Sequence, residues 1–450
     1  MKTGTSRIGI GLLGILLALT VYVAVDNWGS HWFGRPDVAT PAPTTASAPA
    51  STPGNAAPNA AQIERGQYLA RVGNCIACHS AKGAPPMAGG RRIDTPFGGV
   101  YSSNLTPDPA TGLGQWSADD FWQALHHGRS QNGRLLVPAF PYNHTSVITR
   151  EDSDALLAWL HSLAPVQQAP TPHTLMWPVG TQPALAVWRS LFFKPSPFVA
   201  DAKQSAEWNR GAYLVQGLGH CAACHSPRNA LGASGPVDDL SGGLMPIVNW
   251  YAPDLTRDRE TGLASTPLAE IVRLLGTGTS AHAQTSGPMA EVVQHGTQYT
   301  TPADLQAMAV YLQSRAQKAP ATDTPAARAP VSLRVAEMGL KTYERHCAQC
   351  HGDQGQGVRT ANGQVAYPAL AGNRTVQLRD PTNLVQMVLH GGYSPATAGH
   401  PRPFGMPPFV LELDDRDIAA VLTHLRTQWG NQGGEVTPLQ VNRIRASQDQ

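Results

Sequence analysis

Six cysteines occur in this chain, and all of them fall in one recurring pattern. The copies read Cys75-Ile-Ala-Cys78-His79, Cys221-Ala-Ala-Cys224-His225 and Cys347-Ala-Gln-Cys350-His351. Two thiols three positions apart on a helical turn reach the two vinyl groups of one haem. The adjacent histidine then faces the iron and supplies the proximal nitrogen. A zinc site needs four ligands and a redox dithiol needs no following histidine, so neither explains three such copies. The residues therefore point to three haem c groups, with no cysteine left for a structural disulfide.

The sixth position on each iron sets potential and reactivity, and a thioether there favours the reduced metal. Met289 lies 64 residues after His225, in Gly287-Pro288-Met289, and Met406 lies 55 residues after His351, in Gly405-Met406-Pro407-Pro408. Both precede a helical pattern on proline-stiffened segments and are the candidate axial sulfurs. The first copy differs. Its corresponding stretch is Pro138-Ala139-Phe140-Pro141-Tyr142-Asn143-His144, and Met87 stands too soon after His79 to serve. His144 is the leading candidate there, at an offset of 151 from His295; His127 and an open or water-ligated iron are the alternatives. Arg91-Arg92 forms a basic pair that can meet haem propionates or simply face solvent. His126-His127, beside Gly128, fits the end of a helix.

These groups need elements to hold them. A length of 450 residues suggests about three domains, which matches one haem per domain. Arg65-Gly66-Gln67-Tyr68-Leu69 precedes the first motif and Arg210-Gly211-Ala212-Tyr213-Leu214 the second. Asn104-Leu105-Thr106 and Asp254-Leu255-Thr256 repeat at an offset of 150, which argues for duplication. The third copy diverges, with Gly339 and Tyr343 ahead of its motif. Each unit closes with an amphipathic helix, carried by Leu156, Trp159, Leu160 and Leu163, then by Leu305, Met308, Ala309 and Leu312, then by Ile418, Val421, Leu422 and Leu425. Their starts are marked by Thr149, Thr301 and Asp414. Strand-like alternation is scarce.

The expected fold is all-α: three tandem class I cytochrome c-like domains after an N-terminal membrane anchor or signal. The boundaries read 1–28 for the anchor or signal, 29–61 for a Pro/Ala-rich linker and 62–168 for the first domain. An interdomain segment follows over 169–204, the second domain over 205–317 and a linker over 318–332. The third domain covers 333–430, and 431–450 form a tail. Pro36 to Ala61 holds Asp37 as its sole charge and reads as an extended tether. Pro165 to Val199 is rich in aromatic residues and either packs the first domain onto the second or docks a partner or membrane surface.

Lys2 and Arg7 precede an apolar run from Ile8 to Val25, 18 residues that span about 27 Å as a helix. The positive flank keeps that end cytoplasmic and exports the rest. The run is longer than an ordinary signal core, which favours an uncleaved anchor. Location on the periplasmic side of the cytoplasmic membrane follows. Net charge is +2 and charged residues make up 14%, against about 25% in a typical domain. No basic run stands out, so nucleic acid is not an expected partner.

Taken together, the lead-ins, Asn104-Leu105-Thr106-Pro107-Asp108, Gly114-Gln115-Trp116-Ser117, Gly287-Pro288-Met289-Ala290-Glu291 and Tyr367-Pro368-Ala369-Leu370-Ala371-Gly372-Asn373 are distinctive. Over residues 62 to 430 they resemble the cytochrome c subunit of membrane-bound periplasmic dehydrogenases acting on alcohols, aldehydes, gluconate, sorbitol or fructose. The resemblance implies a partner subunit that oxidises substrate at a quinoprotein, flavin or molybdenum centre. Electrons then pass through the haems to ubiquinone or another respiratory acceptor. It also maps Met289 and Met406 onto axial ligands, whereas many members carry methionine where this chain has Phe140. Members with an Ala-Phe-Pro-Tyr segment resemble companions of molybdenum hydroxylases.

Electron transfer, with no catalytic residue in this chain, is the leading expectation. No dinucleotide fingerprint, phosphate loop or nucleophile motif is present. Two rivals are a haem subunit feeding a terminal oxidase and a peroxidase-like enzyme at an open first iron.

Overall fold

A computed structural model describes residues 17–27, 59–245, 247–317, 330–361 and 363–447. The helices that position the motifs are α1 (residues 17–27), α2 (Ala60–Val72), α3 (Ala118–His127), α4 (Arg150–His161), α5 (Gln182–Phe192) and α6 (Ala206–Gln216). They continue with α7 (Leu268–Thr277), α8 (Gly287–His295), α9 (Pro302–Arg315), α10 (Leu333–His346), α11 (Thr382–His390), α12 (Asp415–Thr427) and α13 (Pro438–Ala446).

One arrangement recurs along the chain. The helix ahead of each motif crosses the helix that closes the unit, pairing α2 with α4, α6 with α9 and α10 with α12. The crossings are tight because a glycine stands at each. A Cβ on Gly66 would lie 1.9 Å from the Ala155 carbonyl oxygen, and one on Gly211 would lie 1.9 Å from that of Ala307. At Gly339 the distance to the Ala420 oxygen would be 2.3 Å. Leu69, Leu214 and Leu422 are fully buried beside these crossings, and each such burial contributes about 2–3 kcal/mol. The closing helices begin where expected. Thr149 accepts from the amide of Asp152, Thr301 from that of Asp304, and Asp414 from those of Arg416 and Asp417, satisfying first-turn amides that have no partner inside the helix.

The first two units share one continuous apolar core, running through Leu69, Leu156, Leu214 and Met308. The third has its own, centred on Tyr343, Val385, Ile418 and Leu422. The molecule is mostly helical, but short antiparallel ladders qualify the all-α expectation. Arg92–Thr95, Gly98–Tyr101 and Thr174–Leu175 form a three-stranded sheet, and three two-stranded pairs follow. Strands of two to four residues are too short to leave a readable alternation in sequence.

The segment between the first two units does join them. Trp188 Nε1 donates to the Leu231 carbonyl at 2.9 Å, and the Phe198 ring meets the Tyr213 ring edge-on at 5.4 Å. Its outer side, with Trp177 and Leu191, remains exposed. Helix α1 docks on α5 through Asn27, whose amide donates to the Ala186 carbonyl and the Ser190 hydroxyl. The first half of the expected anchor and most of both linkers lie outside the described residues. Among the described residues no helix is long and apolar enough to cross a membrane.

Candidate haem sites

Each motif forms a short helical turn: Cys75–His79, Ala222–His225 and Ala348–His351. At the end of each turn the histidine Nδ1 meets a backbone carbonyl. His79 reaches Ser103 at 2.8 Å, His225 reaches Pro253 at 2.8 Å and His351 reaches Pro368 at 2.9 Å. A carbonyl only accepts, so Nδ1 carries the proton and Nε2 keeps its lone pair. This is the outer hydrogen bond that orients a metal-binding imidazole. Burial lowers the pKa of all three rings, against the carbonyl bonds that raise it, and favours the neutral form.

No two of the six cysteines are joined in a disulfide. Burial and the second thiol of the pair push Cys75 and Cys221 up to about 12 and Cys347 up to about 11. Among the described residues no three His, Cys, Asp or Glu side chains gather into a metal-binding group, as a zinc site would require. A pair of thiols beside one oriented imidazole fits covalent haem attachment instead.

Met289 and Met406 are half-buried against the two cores. Neither lies on an irregular loop. Met289 sits in the first turn of α8, and Met406 lies on the short strand Gly405–Met406. Gly287 adopts φ 52°, and a Cβ there would come within 2.6 Å of the Trp250 ring, so the Gly-Pro-Met segment is seated on an aromatic face.

The first unit aligns with the second through matched backbone bonds. The amide of Leu136 donates to Gly128, and that of Thr285 donates to Gly278. Four residues further on stand Phe140 and Met289, both packed on the shared core. Met87 is a core residue at 3% exposure. Its carbonyl accepts from Leu105 as that of Leu240 accepts from Leu255, which makes it the counterpart of a buried leucine.

His144 is 1% exposed, on the turn Tyr142–Thr145. Its Nδ1 donates to the Gln216 carbonyl at 2.9 Å, in the neighbouring unit, while its Nε2 is buried with no hydrogen-bond partner. Burial lowers its pKa to about 4, although the Gln216 bond opposes this. His295 is not its spatial counterpart. Thr145 and Thr297 make the same hydroxyl bonds, to Leu125 and Leu275, so His144 corresponds to Gly296. A Cβ on Gly296 would lie 3.3 Å from the Arg71 oxygen. The loop of each unit therefore packs against the approach to the other's motif.

His126 stacks on Trp122 with ring centroids 3.5 Å apart, and its Nε2 meets the Ile148 carbonyl at 2.6 Å. With His127 it ends α3 at the left-handed Gly128, as a helix terminus does. Arg91 and Arg92 act separately. Arg91 donates to the Ala77 carbonyl inside the first motif and faces Glu291 of α8, while Arg92 pairs with Asp94 at 2.7 Å. In the second unit Arg228 donates to Ala223 in the same way. Helix α8 also meets the third unit, where the amide of Ala396 donates to the Gln294 side chain at 3.2 Å. The helix carrying Met289 is thus touched by both neighbours.

Comparison with known proteins agrees with this geometry. Residues 336–429 match the cytochrome c family model. Over 403 residues the chain is 39% identical to an alcohol dehydrogenase (quinone) cytochrome c subunit from Komagataeibacter europaeus, covering 86% of this chain and 85% of that protein. It is 38% identical to a gluconate 2-dehydrogenase cytochrome c subunit from Pantoea cypripedii, covering 83% and 87% respectively. It is also 40% identical to a subunit of nicotinate dehydrogenase from Pseudomonas putida, over 84% of this chain but 31% of that longer protein. The chain therefore belongs to the family of cytochrome c subunits of dehydrogenase complexes, haem proteins that transfer electrons and leave substrate oxidation to another subunit.

Proposed function

We propose that the chain holds three haem c groups and passes electrons from a catalytic dehydrogenase subunit to ubiquinone or another respiratory acceptor. The cysteine pairs 75/78, 221/224 and 347/350 attach the haems in three cytochrome c-like units spanning 62–168, 205–317 and 333–430. His79, His225 and His351 supply the proximal nitrogens. Met289 and Met406 supply distal sulfurs, and His144 supplies the distal nitrogen of the first unit. A haem iron exchanges one electron at a time without rearranging its ligands, and the protein tunes it through ligand identity and surroundings.

The observation that carries this reading is the threefold Nδ1-to-carbonyl anchoring beside each cysteine pair. For His144 the support is the same pattern met again: Nδ1 anchored, Nε2 buried and unpartnered. A haem-bearing chain of this family belongs outside the cytoplasm, on the periplasmic face of the cytoplasmic membrane, where the apolar run from Ile8 tethers it. Identity to a nicotinate dehydrogenase subunit favours a partner that oxidises an N-heterocycle or an aldehyde. Purification of the native complex tests this. A dehydrogenase subunit should accompany the chain, and its substrate should bleach the oxidised haem spectrum. A chain that purifies with a membrane oxidase, or haems that stay oxidised with substrate, would overturn the reading.

A further inference from the structure

Arg129 and Arg189 are buried next to one another, at 7% and 6% exposure. Arg129 follows Gly128 at the end of α3, and Arg189 reaches in from α5. Both gather around Gly128. At its φ of 55° a Cβ would lie 2.6 Å from the Tyr142 ring and 2.8 Å from Arg189 Nη1. The Arg189 guanidinium lies over the rings of Tyr142 and Phe193, at 5.1 and 4.7 Å. Its Nε donates to Asn27 at 3.1 Å.

The cluster is incomplete. Nη1 of Arg129 is buried without a hydrogen-bond partner, and the Tyr142 hydroxyl meets only the Arg189 guanidinium. Among the described residues no carboxylate forms a salt bridge with either arginine; Arg189 feels chiefly the Tyr142 hydroxyl, and both arginines feel the exposed Asp26. Two buried cations with open donors are costly unless an anion joins them. Their donors fit a carboxylate, which accepts two parallel bonds from a guanidinium.

Position says which carboxylate. Arg129 begins the segment that leads to Phe140, and Tyr142 ends it; the matching segment of the second unit leads to Met289. On the reading of Met289 as the distal ligand of the second haem, this segment takes the same distal place in the first. A haem carries two propionate carboxylates. We propose that Arg129, Arg189 and Tyr142 receive a propionate of the first haem, an inference that rests on the haem reading above. The second unit has Thr279 where the first has Arg129, by the matching bridges Arg129–Leu135 and Thr279–Gln284, so the second unit lacks the device. Positive charge there favours ferrous iron and so offsets part of the lower potential expected from nitrogen ligation.

The test uses the mature full-length protein and the variants Arg129→Gln and Arg189→Gln. Two quantities are read: covalent haem per chain from the pyridine haemochrome, and the haem potentials from a spectroelectrochemical titration. Three haems should remain, and one potential should shift downward in both variants while the other two stay. Arg129→Lys should keep most of the wild-type value. Full haem content with every potential unmoved in both glutamine variants overturns the proposal and leaves the haem reading intact. Wild-type protein short of three haems would instead undermine the haem reading. Should the glutamine variants fail to accumulate, Tyr142→Phe removes only the hydroxyl. A shifted propionate-bending band in its resonance Raman spectrum then supports the proposal, and an unshifted band refutes it.

Discussion

The Tyr68 hydroxyl donates to the Asp304 carboxylate at 2.5 Å, across the boundary between the first two units. The reverse contact also exists, from Tyr213 to Asp152 at 2.5 Å. Each aspartate is held by the arginine of its own unit, Asp304 by Arg210 and Asp152 by Arg65. The lead-in Arg-Gly-x-Tyr-Leu thus has three distinct jobs: arginine for the home aspartate, glycine for the helix crossing, tyrosine for the neighbour.

Asp304→Asn should destabilise the first two units by about 3 kcal/mol, the cost of leaving Arg210 without its buried partner. The effect should vanish in acid. Burial pushes the Asp304 carboxyl up, but bonds from Arg210 and Tyr68 and the charges of Arg210 and Arg65 outweigh it and hold the pKa below the ordinary 3.8. Its stabilisation is therefore complete above pH 3.8 and is lost as pH falls through the depressed value. Thermal melts of both proteins between about pH 7 and pH 2 should converge at the acid end. A gap that persists there would count against the ion pair as the cause.

Gly66→Ala and Gly211→Ala should each lower stability by about 2–3 kcal/mol, since the added methyl meets a carbonyl oxygen at the crossing. Gly434→Ala, with nothing within 4 Å, is the control and should melt like the parent. Equal melting temperatures for all three variants would refute close approach as the reason for glycine.

Met289→Ala and Met406→Ala should each remove the sulfur-to-iron charge-transfer band of one haem and lower its potential, because a thioether prefers ferrous iron. Absorption spectra with redox titration read both changes. A full band in either variant would refute that methionine as ligand.

His144→Ala should open the first haem to carbon monoxide, while the reduced wild-type protein should resist it there. Equal binding by the two proteins would mean that the wild-type iron already lacks a sixth protein ligand. Because the His144 pKa is lowered to about 4, the neutral ring needed for ligation should persist down to about pH 5. Loss of the six-coordinate spectrum above that pH would also refute the assignment.

Local features are readable from sequence and distant ones are not. The motifs, the three closing helices and the caps Thr149, Thr301 and Asp414 depend on neighbours a few residues away. The Tyr68–Asp304 bond joins residues 236 apart, and nothing in the spacing of either announces it. Arg129, Tyr142 and Arg189 come from three segments with no shared periodicity, whereas Arg91-Arg92 stands out by adjacency alone. Counting along the chain pairs His144 with His295. The first unit's loop is shorter, which changes the register, so the matching threonine hydroxyl bonds pair His144 with Gly296.

The third unit is joined to the second differently. Asn383 exchanges two hydrogen bonds with the Tyr251 backbone, and Gln386 donates to the Asn249 carbonyl. These are amide clasps at the surface of a separate core, without the reciprocal tyrosine–aspartate exchange. Tunnelling rates fall exponentially with the gap between redox centres. A chain built this way holds its first two motifs on one shared core and reaches the third across a row of hydrogen bonds between two separate cores. Loosening those bonds together should therefore slow transfer to the third unit more than transfer between the first two.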